Sequence, residues 1–336
     1  MASRRSIIAG SAALPLGAPA MAQGVPPGDA AAAEAEPWSA EYWAEKGPVR
    51  LYLFRKRMGG APRPGEAPRP VLFLVHGSSN SGRPSFDLSV PGKGEYSMMN
   101  VFARLGWDVW TMDHEGYGRS SRTGGNSDIA TGAADLLAAH AVVRRETGQE
   151  RMCLIGESSG ALRAAVFAAR NPALAERIVL SAFTYTGRGS PTLTERAKRL
   201  DYFRTHARRP RGRDMIRSIF TRDMPGTSDP AVAEALADAE LPFGEDVPTG
   251  TYLDMTANLP VVQPEAVRCP VLLIRGEHDG IATEADLQDF FGRLPNGDRQ
   301  FVVLSHAAHA LAFGLNRHQF WHACQAFLAM PPPVQA

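Results

Sequence analysis

Ser158 stands in the part of this sequence that most clearly could do chemistry. An apolar stretch runs into Gly156-Glu157-Ser158-Ser159-Gly160 and then into an alanine-rich segment. A serine on a strained strand-to-helix turn needs small residues two positions before and two positions after it, because larger side chains would collide with neighbouring backbone. Gly156 and Gly160 meet this need for Ser158 only. The pattern also occurs in plain Gly-Ser turns, but the strand-like and helix-like segments around it favour a nucleophilic serine.

A serine hydroxyl needs a base to take its proton, and the base is usually a histidine that a carboxylate orients. His309 is the candidate base, because it follows the last strand-like run of the chain; His306, in the same loop, is the alternative and is expected to form hydrogen bonds within the loop. Asp279 is the candidate acid, because it stands in the turn after a buried strand-like run. Glu277 lies closer to the end of that run and is its alternative.

A tetrahedral intermediate also needs hydrogen-bond donors for its oxyanion. The backbone N–H of Ser159, directly after the candidate nucleophile, is one such donor, and the loop after the apolar run Val71–Val75 offers a second, for which we select Ser78. His76 in that loop is expected to be a structural hydrogen-bonding residue. The glycine-containing segment from Asp113 to Ser120 is interpreted as a structural turn, since it lacks the lysine and helix of a nucleotide site.

These residues need a scaffold, and the apolar pattern predicts one in which strands alternate with helices. The predicted strands are Val49–Phe54, Val71–Val75, Trp107–Met112, Met152–Ile155, Arg177–Leu180, Val271–Ile274 and Phe301–Leu304. The predicted helices are Asp128–Arg145, Ala161–Ala169, Glu284–Leu294 and Gln319–Leu328. Such alternation indicates an α/β fold with a mainly parallel sheet that helices cover on both faces.

The alternation stops between residues 184 and 264, where no clear strand is found and the pattern is helix-like. We interpret this insertion as a helical cap. Residues 188–222 contain eleven Arg or Lys and three acidic residues, whereas residues 223–254 contain eight acidic residues and no Arg or Lys. We expect the two halves to pair or to face solvent. The alternative is that arginines such as Arg208 and Arg209 attract an acidic substrate, for example a dicarboxylate monoester.

Composition limits the remaining function classes. The 336 residues carry a formal net charge of +1, which gives no general attraction for nucleic acid or anionic membranes. Residues 1–22 contain Arg4 and Arg5 before a short apolar run and resemble a twin-arginine export signal, which predicts a periplasmic or secreted protein without stable membrane insertion after cleavage. Residues 23–37 are predicted to be a disordered leader. The three cysteines, Cys153, Cys269 and Cys324, are predicted to be unpaired.

Together, the motifs around His76-Gly77, Asp113–Ser120, Ser158, Asp279 and His309 resemble the α/β-hydrolase superfamily, specifically its capped serine esterase and lipase-like branch. The resemblance covers about residues 49–328. It implies a core of residues 38–183 and 265–336 and a cap of residues 184–264. It further implies hydrolysis of a small-molecule carboxylic ester through an acyl-enzyme, with Ser158 as nucleophile, His309 as base and Asp279 as acid, and with no cofactor or metal.

The resemblance leaves the bond that is cleaved open. Amides, lactones and C–C bonds can be cleaved with the same three residues, and so can esters in a perhydrolysis reaction. A binding module on the same fold, without catalysis, is the alternative from another class. The strong charge of the cap favours a soluble ester over a lipid interface.

Overall fold

The computed structural model describes residues 36–331, so the predicted export signal and most of the predicted leader lie outside the described residues. The strands of the described part are β1 Trp38–Lys46, β2 Val49–Arg57, β3 Val71–Val75, β4 Asp108–Met112, β5 Met152–Glu157, β6 Ala175–Ser181, β7 Arg208–Pro210, β8 Asp246–Pro248, β9 Val271–Gly276 and β10 Arg299–Leu304. Eight of them form the central sheet, in the order β1-β2-β4-β3-β5-β6-β9-β10.

The helices cover this sheet and build the insertion. They are α1 Gly82–Phe86, α2 Met98–Arg104, α3 Ile129–Thr147, α4 Ser159–Arg170, α5 Pro191–Ala197, α6 Leu200–Thr205, α7 Arg213–Thr221, α8 Pro230–Glu240, α9 Gly250–Leu253, α10 Glu284–Gly292 and α11 Arg317–Leu328. Short 3₁₀ turns cover Leu241–Phe243, Pro264–Ala266 and Leu311–Phe313, and a π-helical turn covers Asp254–Asn258.

The central sheet is parallel from β4 to β10. Only β1 and β2 run antiparallel to their neighbours. Strands β3, β4 and β9 are buried along their whole length, which explains why their sequences are mainly apolar. The predicted α/β fold with a mainly parallel sheet is confirmed.

Two apolar clusters, one on each face of the sheet, hold the helices. On one face, α3 and α4 bury residues such as Leu136 and Phe167. On the other, α2 and α11 bury Phe102 and Phe320. Helix α4 is buried at ten of its twelve residues, so its first residue, directly after Ser158, is fixed by the core.

The structure contains elements that the sequence pattern did not predict. Strand β1 pairs with β2 over nine residues, although its side chains are largely half-buried or exposed. The insertion contains the two short antiparallel strands β7 and β8, which pair only with each other, so the expectation of a strand-free insertion was wrong. Three-residue strands are too short to produce a periodic apolar pattern.

We call residues 184–264 the cap segment. Its two most highly charged helices pack against each other: Arg213 and Arg217 of α7 pair with Glu234 of α8, and Arg213 also contacts Asp238. The expected pairing between the basic and acidic halves is therefore present at this helix pair. An apolar contact of Ile216 and Phe220 with Leu236 lies beneath the ion pairs.

A buried ion pair joins the cap segment to the loop after β3. Arg211 Nη1 lies 2.5 Å from Glu240 Oε2, and both side chains are almost completely buried. Arg211 also donates to the carbonyl of Ser79, while the other oxygen of Glu240 accepts from the backbone N–H and the hydroxyl of Ser81. The pair thus fixes the cap segment and this loop to each other.

Within residues 36–331, no helix combines the length and the apolar character that crossing a bilayer requires.

Replacement of Arg211 tests this junction. Arg211→Met leaves the buried Glu240 carboxylate without its cation, so we expect the free energy of unfolding in urea to fall by about 3–5 kcal/mol. Arg213→Met is the matched control, since it breaks exposed ion pairs in the same segment and should have a much smaller effect. The double variant Arg211→Met/Glu240→Leu should recover most of the loss. Equal stability of Arg211→Met and Arg213→Met would contradict this role of the pair.

Candidate active site

The residues selected from the sequence meet at the carboxyl edge of the parallel strands. Ser158 follows β5, Ser78 lies in the loop after β3, Asp279 follows β9 and His309 follows β10. Carboxyl ends of parallel strands lie on the same edge of a sheet, where α/β proteins place their ligand sites. The sheet therefore brings together residues that are up to 231 positions apart in the chain.

The turn at Ser158 has the geometry that its glycines suggest. Ser158 has φ 56° and ψ −122°, a conformation that residues with a side chain rarely adopt. A Cβ at Gly156 would lie 2.6 Å from the Cα of Ala161, and a Cβ at Gly160 would overlap the carbonyl oxygen of Val75. Both positions therefore exclude any larger residue, and the turn presents the Ser158 hydroxyl to the cavity.

A chain of hydrogen bonds joins the three candidate catalytic side chains. His309 Nε2 lies 2.9 Å from Ser158 Oγ, and His309 Nδ1 lies 2.9 Å from Asp279 Oδ1. Because an ionised Asp279 can only accept, Nδ1 carries the proton and Nε2 is free to accept the serine proton. The geometry therefore meets the requirements of a serine nucleophile with a base and an orienting carboxylate.

Asp279 is held so that it stays ionised. Burial alone would raise the pKa of Asp279, but its contact with His309 and two backbone N–H donors together lower it below its usual value. These donors are Ile281 at 2.8 Å and Ala282 at 3.1 Å, both to Oδ1. An ionised carboxylate at this position stabilises an imidazolium on His309.

Glu277, directly after β9, and His306, in the loop after β10, were the alternatives from the sequence, and both make other contacts. Glu277 accepts hydrogen bonds from the Ser305 hydroxyl and the His306 backbone N–H, and its side chain is about half exposed. His306 itself has a positive φ of 53° and is exposed at the surface. Neither residue makes a hydrogen bond to Ser158 or to His309 among residues 36–331. Instead, Glu277 and His306 hold the start of the loop that carries His309.

The loop after β3 lies directly against the turn at Ser158. A Cβ at Gly77 would lie 3.2 Å from the Ser158 Cβ, and Ser78 Oγ lies 2.7 Å from Ser159 Oγ. In the described chain, no protein acceptor is found for the backbone N–H of either Ser78 or Ser159. These two N–H groups lie next to the Ser158 hydroxyl and could donate to an oxyanion there.

Hydrogen bonds of His76 and Asp113 hold this loop in place. His76 Nδ1 donates to the carbonyl of Gly77, and its Nε2 accepts from the backbone N–H of His114. Burial lowers the pKa of His76 well below its usual value, so the ring stays neutral. Asp113 accepts from the backbone N–H groups of Gly82 and Arg119. Both motifs are thus structural, as the sequence pattern suggested.

A cavity of about 820 Å³ contains Ser158 and His309 and is open on one side. Core residues form its floor, and the cap segment forms a second wall with Arg196, Arg199 and Tyr252. Sequence reasoning did not single out these three residues. The excess of basic residues in 188–222 was the only signal, and it does not show which arginines face inward.

Arg208 and Arg209, which the sequence suggested for attraction of an acidic substrate, both have protein partners. Arg208 pairs with Asp246 and donates to the carbonyl of Gly116. Arg209 donates to Ser79 Oγ at 2.5 Å and is 5% exposed.

Asp223, Asp279 and His309 form the one group in the described chain whose spacing could hold a metal ion, with donor atoms within 4.8 Å of one another. Asp279 Oδ1 and His309 Nδ1 bond to each other, and Asp223 forms a two-contact ion pair with Arg222, which leaves Asp279 Oδ2 as the atom without a hydrogen-bond partner within residues 36–331. The arrangement therefore fits a hydrogen-bonded chain better than a metal centre.

The sheet order, the turn at Ser158 and the position of the site define an α/β hydrolase. The chain matches the family model described as serine aminopeptidase, S33, over residues 90–316. It belongs to this family of α/β hydrolases, and the predicted superfamily is confirmed. No curated protein matches the chain.

Similar solved structures come from proteins with different reactions. A bromoperoxidase from Bacillus anthracis has a TM-score of 0.63 at 17% identity, with 87% of this chain and 100% of that chain covered. An esterase from Thermogutta terrifontis has a TM-score of 0.61 at 19% identity, with 86% and 97% covered. An enol-lactonase from Burkholderia xenovorans LB400 has a TM-score of 0.59 at 19% identity, with 86% and 100% covered. At such identities the likeness establishes the fold alone.

Glu157, next to the candidate nucleophile, has a buried carboxyl whose protonation in the folded protein can be tested. Burial raises the pKa of Glu157 to about 8, and its Oε1 has no hydrogen-bond partner within the described residues. Between about pH 5 and pH 8 the unfolded chain ionises this carboxyl while the folded protein keeps it protonated, so rising pH destabilises the fold. The melting temperature of Glu157→Gln should therefore increasingly exceed that of the wild type across this range and level off above it.

Glu45→Gln, at an exposed position of β1, is the control and should follow the wild type at every pH. A constant difference between Glu157→Gln and the wild type from about pH 5 to pH 9 would show that Glu157 is not protonated in the folded protein.

Proposed function

We propose that this α/β hydrolase is a serine esterase that cleaves carboxylic esters through an acyl-enzyme. One observation carries the proposal: His309 bridges Ser158 and Asp279 with two hydrogen bonds of 2.9 Å at the floor of an open cavity. This geometry matches the requirements of a nucleophile, its base and the orienting acid.

In the first half of the proposed reaction, Ser158 Oγ attacks the ester carbonyl carbon while its proton passes to His309 Nε2. Asp279 stabilises the imidazolium that forms, and the N–H groups of Ser78 and Ser159 stabilise the oxyanion. His309 then gives its proton to the departing alkoxide as the C–O bond breaks. The acyl group stays on Ser158.

In the second half, His309 Nε2 takes a proton from water, whose oxygen attacks the acyl carbon. Collapse of the second tetrahedral intermediate releases the carboxylic acid and returns the proton to Ser158. Every group that this scheme uses belongs to the chain itself, apart from the substrate and water. We further propose that the protein acts after export, as its first 22 residues suggest.

Cleavage of amides or lactones is the second candidate. The family description names an aminopeptidase, and an enol-lactonase is among the similar structures. An amine is a poorer leaving group than an alkoxide, so an enzyme built for amides must protonate the nitrogen efficiently and usually cleaves activated esters as well. Matched ester, amide and lactone substrates with the same acyl group separate these activities.

Ser158→Ala tests the nucleophile. We expect the wild type to hydrolyse p-nitrophenyl acyl esters and to be labelled by a fluorophosphonate probe, and Ser158→Ala to lose labelling and about 10⁴-fold or more of kcat. Ser218→Ala is the matched control, since Ser218 lines the same cavity from α7 but bonds only to a backbone carbonyl. Labelling without ester turnover would transfer the proposal to amides, lactones or C–C bonds. A wild type that shows neither would favour the binding module.

Asp279→Asn tests the assignment of the acid. An amide side chain can donate to His309 Nδ1 and would favour the wrong tautomer of the ring, so we expect kcat to fall by about 10³- to 10⁴-fold with little change in KM. Glu277→Gln should keep kcat close to that of the wild type, because Glu277 makes no hydrogen bond to His309. Equal losses of kcat in the two variants would refute the choice of Asp279.

A further inference from the structure

Arg196 is a cation on the wall of the cavity that forms no ion pair with a carboxylate of residues 36–331. It extends from the last turn of α5, and its guanidinium carbon lies 4.0 Å from the centroid of the Tyr252 ring. Within residues 36–331, no carboxylate or other hydrogen-bond acceptor contacts this guanidinium. Burial and the nearby Arg222 and Arg209 lower the pKa of Arg196, but an arginine stays protonated at neutral pH.

Most other arginines of the cap segment are neutralised. Arg208 pairs with Asp246, Arg211 with Glu240 and Arg222 with Asp223. Arg199 resembles Arg196, because it lines the cavity and its guanidinium lies over the rings of Tyr202 and Phe203, with no ion pair in the described part of the chain. The junction of α5 and α6 therefore presents two cations to the cavity without a carboxylate partner.

The carboxyl groups that line the cavity form their hydrogen bonds and ion pairs with residues other than Arg196 and Arg199, and only Asp223 is close enough to raise the pKa of Arg196 through space. Glu195 pairs with Lys198, Asp223 with Arg222, and Asp279 with His309. Glu277 accepts from the loop that carries His309. Glu157, with its raised pKa, is largely protonated at neutral pH.

The pKa of Tyr252 is lowered by the positive charge of the arginines around it. A second guanidinium, that of Arg209, has its carbon 3.9 Å from the centroid of the same ring. Burial would raise the pKa of Tyr252, but Arg196, Arg209 and a hydrogen bond with Ser79 together lower it to about 7. An anion is thus favoured at this point of the cavity wall.

This wall adjoins the residues of the proposed reaction. Thr251 Oγ1 lies 2.8 Å from Ser78 Oγ, and the neighbouring Tyr252 bonds to Ser79. Ser78 in turn touches Ser159 beside the nucleophile. The cation over Tyr252 is therefore separated from the oxyanion loop by little more than one aromatic ring.

We propose that Arg196, seated on Tyr252, binds a carboxylate of the substrate, so that the enzyme prefers half-esters of short dicarboxylic acids. The planar guanidinium can donate two parallel hydrogen bonds to such a carboxylate while the ester carbonyl lies at Ser158. Arg199 strengthens the attraction from the rim. The proposal rests on the proposed esterase function and adds a substrate class to it.

The test compares two methyl esters of the same shape: monomethyl glutarate, and its analogue in which a neutral carboxamide replaces the free carboxylate. We expect the wild type to prefer the half-ester. Arg196→Gln should lower kcat/KM for the half-ester by about 10- to 100-fold and leave the rate with the carboxamide nearly unchanged. Arg196→Lys should retain part of the preference, because it keeps the charge but not the planar pair of donors.

Arg204→Gln is the matched control, because it removes the same charge from the exposed face of α6, outside the cavity. Arg204→Gln should leave the ratio of kcat/KM for the half-ester to kcat/KM for the carboxamide unchanged. An unchanged melting temperature and carboxamide rate in Arg196→Gln would show that the packing on Tyr252 survives. A wild type that prefers the carboxamide, or a ratio that Arg196→Gln leaves unaltered, would overturn the carboxylate site.

A binding measurement separates this proposal from the esterase function. Calorimetric titration of monomethyl glutarate into Ser158→Ala and into Ser158→Ala/Arg196→Gln follows binding without turnover. Binding that the second substitution weakens about 10-fold or more supports the carboxylate site even if the wild type cleaves no ester. Ester hydrolysis by the wild type, with equal binding of the half-ester to both variants, would retain the esterase and refute the site.

Discussion

The backbone of Ser158 is held in a conformation that costs a serine about 1–3 kcal/mol and persists only where the surroundings enforce it. The enforcement comes from the core: β5 enters the turn in the centre of the sheet, and α4 leaves it with almost every residue buried. The helix can approach β3 this closely only because Gly160 has no side chain. Exposure of the Ser158 hydroxyl, contact with His309 and the position of the Ser159 N–H all follow from this one turn.

The loop after β3 is shaped from the other side by the cap segment. Ser79 has φ 89°, which is unusual for a serine; Arg209 binds its hydroxyl and Arg211 binds its carbonyl. Residues about 130 positions later in the chain thus hold the loop that contains Ser78. The same segment supplies Arg196 and Tyr252 to the cavity, so that the proposed carboxylate site and the proposed oxyanion donors depend on a common wall.

What the sequence could predict was local. Buried parallel strands are short apolar runs, and the turn at Ser158 requires its own glycines, so the sheet and the positions of Ser158, Asp279 and His309 could be found from spacing and order. Strand β1 escaped prediction because its antiparallel edge position leaves it without a continuous apolar pattern. Arg196 and Arg208 look alike in the sequence, and only the folded chain shows that Arg208 pairs with Asp246 whereas Arg196 forms no ion pair within residues 36–331.

The buried ion pair of Arg211 and Glu240 also affects how substrate and product can enter and leave the cavity. A hinged lid must separate from the core in each cycle, and here that motion would pull two desolvated charges away from Ser79 and Ser81. The cap segment is therefore better suited to be a fixed wall than a gate. With a fixed wall, substrate and product would pass through the open side of the cavity at rates set by diffusion and by its width, without the activation at oil–water boundaries that moving lids confer.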